Sequence, residues 1–159
     1  RIRDYNGNGI FDFDDQNGNT WHRMGDVGIL DGAGRLWYCG RKSQRVETPA
    51  GPLFADQVEA MFNDLEGVER TALVGVPAAT DPATIREPVL CVERRDGSQR
   101  DEAELTEAIL KRARSFPQLD ALQRVLFHRG FPVDIRHNAK IDRVVGDVCV
   151  DRGPVSVIP

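Results

Sequence analysis

The stretch from Trp21 to Val46, WHRMGDVGILDGAGRLWYCGRKSQRV, most constrains what this chain can fold into. Val27, Ile29 and Leu30 form one apolar run, and Leu36, Trp37 and Tyr38 form a second, rich in aromatic strand formers. Between them Asp31-Gly32-Ala33-Gly34 supplies turn residues, because glycine tolerates the positive φ that tight turns need. The pattern predicts a β-hairpin that returns the chain and brings Asp26 near Arg41. A carboxylate and a guanidinium at the base of a hairpin suit a ribose diol and a phosphate, respectively. On residue types alone, a surface hairpin closed by an ion pair is the favoured reading.

With 159 residues, 40% of them apolar and 29% charged, the chain amounts to one ordinary soluble domain, or a small domain with an appendage. A formal net charge of −4 argues against a general nucleic-acid footprint. No apolar run approaches the ~20 residues needed to span a bilayer, and no basic-then-apolar leader opens the sequence. There is no initiator Met, so Arg1 is read as a fragment boundary. Cys39, Cys91 and Cys149 are odd in number and form no CxxC pair, which points to a reducing, cytoplasmic compartment rather than to disulfides or zinc. His22, His128 and His137 are as scattered, and no three of these residues have metal-ligand spacing.

The N-terminal string from Asp4 to Asp15, DYNGNGIFDFDD, fits the register of a calcium loop. Asp4, Asn6 and Asn8 fall at positions one, three and five, Gly9 at the sharp turn, Ile10 at the carbonyl position, Asp12 at nine and Asp15 at twelve. The string is similar to the calcium loops of dockerins and EF-hands, and a calcium-dependent interaction module centred here is one reading of the chain. Against it, too few residues precede Asp4 for an entering helix, Gln16-Asn17-Gly18-Asn19 starts an exiting helix poorly, and Asp15 is shorter than the usual bidentate Glu. The favoured reading of residues 1–20 is an Asn/Gly/Asp-rich insertion or loop with solvated acids.

After the hairpin, Thr48-Pro49-Ala50-Gly51-Pro52 reads as turn punctuation. Val58, Met61, Phe62 and Leu65 recur at helical spacing and predict an amphipathic helix over 55–65, with Asp56 at its positive dipole end and a stop at Glu66-Gly67. Strands are expected over 68–76, 88–93 and 125–128, and a helix of about four turns from Asp101, ended by Phe116-Pro117. His128, lying in a strand, is read as structural.

The order of the charged motifs adds what their types do not. Gly25-Asp26, then Asp31-Gly32-Ala33-Gly34, then Gly40-Arg41-Lys42 resembles a stretch of the acyl-adenylate-forming superfamily. That superfamily includes acyl-CoA synthetases, peptide-synthetase adenylation domains and luciferases. His22-Arg23-Met24-Gly25-Asp26, Gly40-Arg41-Lys42-Ser43 and Arg136-His137-Asn138-Ala139-Lys140-Ile141 are most similar to one branch, the β-lactone synthetases of bacterial long-chain olefin biosynthesis, often labelled fatty acid–CoA ligases. The resemblance covers Trp21 to Arg143.

The resemblance implies an α+β fold: residues 21–42 end the large adenylating domain, 43–143 form a mobile C-terminal subdomain with a mixed sheet and helices, and 144–159 are a divergent tail. It implies that Asp26 holds the ribose hydroxyls of ATP, that Arg41 contacts the nucleotide, and that Lys140 is catalytic, contacting the acyl carboxylate and the α-phosphate. Lys140 follows Ala139 where the superfamily usually has Gly, and taken singly it is an ordinary loop lysine; its company in order with Asp26 and Arg41 reverses that reading. Ser43 holds the hinge position, where many relatives carry Asp or Lys. The implied activity is AMP-forming ligation with MgATP, on a 2-alkyl-3-hydroxy fatty acid in the β-lactone branch or with CoA in the long-chain acyl-CoA synthetases. The implied partners are the missing N-terminal domain, the long-chain acid and other enzymes of the olefin pathway. The superfamily's phosphate loop and acyl pocket lie upstream, so this chain alone is expected to be inactive.

Overall fold

The computed structural model describes residues 2–4, 11–14, 16–22, 25–78 and 85–131. The chain divides into two compact units, Arg1–Ser43 and Gln44–Pro159. The first contains β1 (Ile2–Asp4), β2 (Phe11–Asp14) and β3 (Thr20–His22), an antiparallel sheet in which Asp4 faces Phe11 and Phe13 faces Trp21. Paired backbone thus occupies part of the segment expected as an insertion or loop; Phe-Asp-Phe-Asp at 11–14 has the period-two alternation of a strand. The second element of this unit is the expected hairpin, β4 (Asp26–Leu30) with β5 (Leu36–Arg41).

The second unit opens with a hairpin that sequence reading took for punctuation, β6 (Arg45–Thr48) with β7 (Gly51–Phe54). The Thr48 hydroxyl donates to the Gly51 carbonyl at 2.7 Å and closes the turn. Then come α1 (Ala55–Ala60), β8 (Val68–Pro77), β9 (Arg86–Arg94), α2 (Glu102–Ala113) and β10 (Arg124–His128). The sheet order is β10-β9-β8, with β9 antiparallel to β8 and parallel to β10, a mixed sheet as the α+β reading requires. The central strand β9 is buried on both faces and reads as the continuous apolar run Val89-Leu90-Cys91-Val92. Leu90 and Val92 pack with Phe62 of the post-α1 turn and with Leu105 and Ile109 of α2, whereas Val89 and Cys91 face Ala72, Leu126 and Phe131 on the other side.

Helix α1 stops at Ala60, short of the expected Leu65. Polar bonds from distant residues draw the chain out of the helix. The Asn63 side-chain oxygen accepts from both the backbone N–H and the hydroxyl of Thr71, each at 2.8 Å. Arg112 of α2 donates to the Met61 carbonyl at 2.7 Å and pairs with Asp64, holding that carboxyl below its ordinary pKa. The buried Glu59 carboxylate accepts the Leu73 N–H at 2.8 Å, so the helix is stitched to β8. Helix α2 starts where expected, with a capping box: Asp101 accepts the Glu104 N–H at 2.8 Å, and the Asp101 N–H donates to the Glu104 carboxylate at 3.0 Å.

Candidate functional site

The β4–β5 hairpin is built from its tip. The Asp31 carboxylate accepts the backbone N–H groups of Ala33 and Arg35, each at 2.9 Å. Its second oxygen accepts Arg35 Nε at 2.7 Å and Trp37 Nε1 at 2.9 Å, and the Arg35 guanidinium lies 5.6 Å from the centre of the Trp37 ring. Gly34 takes φ +76° inside the turn, a conformation open to glycine. The bond from Trp37, followed by those from Arg35, holds the Asp31 carboxyl down to about 2.

From the tip the register runs Leu30 to Leu36, Ile29 to Trp37 and Gly28 to Tyr38. It then shifts by one: Val27 faces Gly40 and Asp26 faces Arg41, leaving Cys39 as an extra residue on β5. Gly40 takes φ +136° at this bulge. The shifted ladder continues in a bond from the Lys42 N–H to the Gly25 carbonyl at 2.9 Å. Residues directly opposite in an antiparallel pair share a face. Arg41 Nε accordingly lies 3.1 Å from Asp26 Oδ1, with both side chains about one-third exposed (35% and 36%).

The structure therefore brings Asp26 and Arg41 together, as the hairpin pattern predicts. A carboxylate with remaining acceptor positions beside a planar donor fork can take a diol on one side and a phosphate oxygen on the other. Exposed ion pairs of this kind contribute only about 0–1 kcal/mol to folding. Ser43 is exposed in the 3-10 turn Lys42–Gln44, at the last residue of the first unit. Lys140 lies outside the described residues. So do Asn6, Asn8, Ile10 and Asp15 of the candidate calcium loop, whose Asp4 and Asp12 are described only as backbone of β1 and β2. Among the described residues, no group of three or more His, Cys, Asp or Glu could hold a metal ion, and no helix is long and apolar enough to cross a membrane.

Sequence reading missed two parts of the site, the Asp31 cap and the Cys39–Gly40 bulge. The first had a local signal, an Asp opening a glycine-rich turn. The second had none short of knowing the turn length.

No family model matches the chain. It is 57% identical over 122 residues to the olefin β-lactone synthetase of Stenotrophomonas maltophilia, which covers 77% of this chain and 21% of that relative. It is 51% identical over 123 residues to the enzyme of the same name from Xanthomonas campestris pv. campestris, with the same coverage of each. Among solved structures, the amide bond synthetase McbA from Marinactinospora thermotolerans superposes with a TM-score of 0.63 at 27% identity, over 80% of this chain and 25% of that one. The chain thus spans 21% of the length of these curated relatives.

Proposed function

We propose that this chain, which belongs to the acyl-adenylate-forming superfamily and matches its C-terminal part, completes the active site of an ATP-dependent β-lactone synthetase. The observation that carries the proposal is the 57% identity over 122 residues to an olefin β-lactone synthetase, in a chain whose sequence holds Asp26, Arg41 and Lys140 in order. The substrate is a long-chain 2-alkyl-3-hydroxy fatty acid. Its carboxylate attacks the α-phosphorus of ATP, giving acyl-AMP and pyrophosphate. The β-hydroxyl of the same molecule then attacks the activated carbonyl, closing the four-membered ring and releasing AMP. The nucleophile is tethered at high effective molarity, so CoA is not required.

In this scheme Asp26 accepts the ribose hydroxyls and Arg41 donates to the nucleotide from its place beside Asp26. Lys140 neutralises the charge that develops at the acyl carboxylate and the α-phosphate during adenylation. All three act by position and charge, and none forms a covalent bond. Magnesium enters with the triphosphate. Ser43 is the hinge about which the second unit swings between half-reactions; the division of the chain into compact units at this residue supports that assignment. The rest of the longer protein covers the hairpin. Ile29, Leu30, Leu36, Trp37 and Tyr38 are 56–72% exposed. Because successive residues of a strand point to opposite sides, both faces of this two-stranded ribbon are apolar, and a bare ribbon is marginal in water.

The test is the full-length parent enzyme with MgATP and a 2-alkyl-3-hydroxy fatty acid, with and without CoA, the product being identified by NMR. A β-lactone formed without CoA, and lost in Lys140→Ala, is expected. A thioester formed only with CoA moves the enzyme to the acyl-CoA ligases. No AMP release under either condition overturns adenylation.

A further inference from the structure

We infer that Gly40 is a positioning residue for nucleotide binding, acting through the β-bulge that sets Asp26 opposite Arg41. The inference rests on the proposed roles of those two residues, but its argument is the register of the hairpin. From the tip to Gly28 each pair is regular, and continued without a shift the ladder would place Asp26 opposite Gly40 and Arg41 opposite Gly25. A one-residue slip moves a side chain to the other face of the ribbon. The guanidinium would then leave the side on which the Asp26 carboxylate projects. The bulge prevents this by absorbing Cys39, whose side chain is buried (4% exposed) while its β5 neighbours Leu36, Trp37 and Tyr38 are open. What permits the bulge is Gly40 at φ +136°, a conformation L side chains rarely adopt.

The Asp31 cap supplies the other fixed point. Its four bonds lock the turn, so a register error cannot be absorbed at the tip. The hairpin is pinned at both ends, and the residue at position 40 decides on which face Arg41 lies.

The experiment uses the full-length parent enzyme in three forms: Gly40→Ala, Gly40→Ala with Cys39 deleted, and Asp26→Asn as reference. Alanine at 40 disfavours the bulge, so the KM for ATP is expected to rise by about tenfold or more, as in Asp26→Asn, with the KM for the acyl substrate unchanged. Deleting Cys39 from the alanine variant removes the extra residue, and a regular ladder again sets Asp26 opposite the arginine. Recovery of the ATP KM in that double variant is the expected result, and general destabilisation would not produce it. Failure of the deletion to restore the ATP KM, while Asp26→Asn raises it, overturns the inference and leaves the proposed function standing. If Asp26→Asn leaves the ATP KM unchanged, the proposed role of Asp26 falls, and the inference with it. Should Gly40→Ala not fold, the double variant decides alone: a folded enzyme with near-native ATP KM supports the inference, and any other result overturns it.

Discussion

Replacing Asp26 by Asn in the full-length enzyme separates binding from folding, and both magnitudes follow from the structure. Asp26 is 36% exposed and its described ionic partner is Arg41 at 3.1 Å. Loss of an ion pair this exposed costs about 0–1 kcal/mol of stability. Asparagine is close in shape and keeps one acceptor oxygen, so the hairpin is expected to survive. If Asp26 holds the nucleotide as proposed, the effect there is expected to be larger. A hydrogen bond to a charged acceptor contributes about 1.5–3 kcal/mol, which corresponds to a rise of roughly 10- to 150-fold in the KM for ATP. The KM for the acyl substrate should be unmoved. Initial rates of AMP release against ATP concentration, with a thermal unfolding curve on the same preparation, give both numbers. An unchanged ATP KM would refute the assignment. A fall in the unfolding temperature of the size a core deletion produces would refute the claim that the pair contributes little to folding.

Other expectations follow from the described contacts. The Asp31 carboxyl should titrate near pH 2 by NMR, and Trp37→Phe should raise that midpoint by removing the first of its bonds. Because its folded pKa lies below the ordinary 3.8, the stability Asp31 contributes is fully present above about pH 4 and is lost as pH falls toward 2. Glu59→Ala leaves the buried Leu73 N–H without its acceptor and should cost about 1–3 kcal/mol, read from urea unfolding of this chain. Asp101→Ala removes the cap of α2 and should cost about 1 kcal/mol by the same measurement. Phe62→Ala empties a fully buried site in the core that also holds Leu90, Val92, Leu105 and Ile109, and should cost about 3–5 kcal/mol.

Three departures from the sequence reading each have their own physical origin. Helix α1 ends early because Asn63, Met61 and Asp64 are bonded by Thr71 and Arg112, residues whose proximity is created by the fold. The β6–β7 hairpin passed for a turn because its strands are four residues each and its second begins Gly-Pro. The bulge at Cys39 was invisible because register is a property of two strands, and neither strand alone records it.

What the sequence determined by itself is local in its physics. Turn residues at 31–34 between aromatic and aliphatic runs dictated the β4–β5 hairpin, and helical spacing from Glu104 to Ala113 dictated α2. The motifs Gly25-Asp26 and Gly40-Arg41 marked the two residues that the hairpin brings together, since each motif lies within a few bonds of the backbone it labels. Tertiary structure alone decided which face those residues share. The distance of 3.1 Å between carboxylate and guanidinium depends on a one-residue shift in pairing and on a glycine at φ +136° that permits it. Such a shift is chosen by the balance of both strands, the turn that joins them and the burial of Cys39, and only the folded chain brings all of these to bear at once.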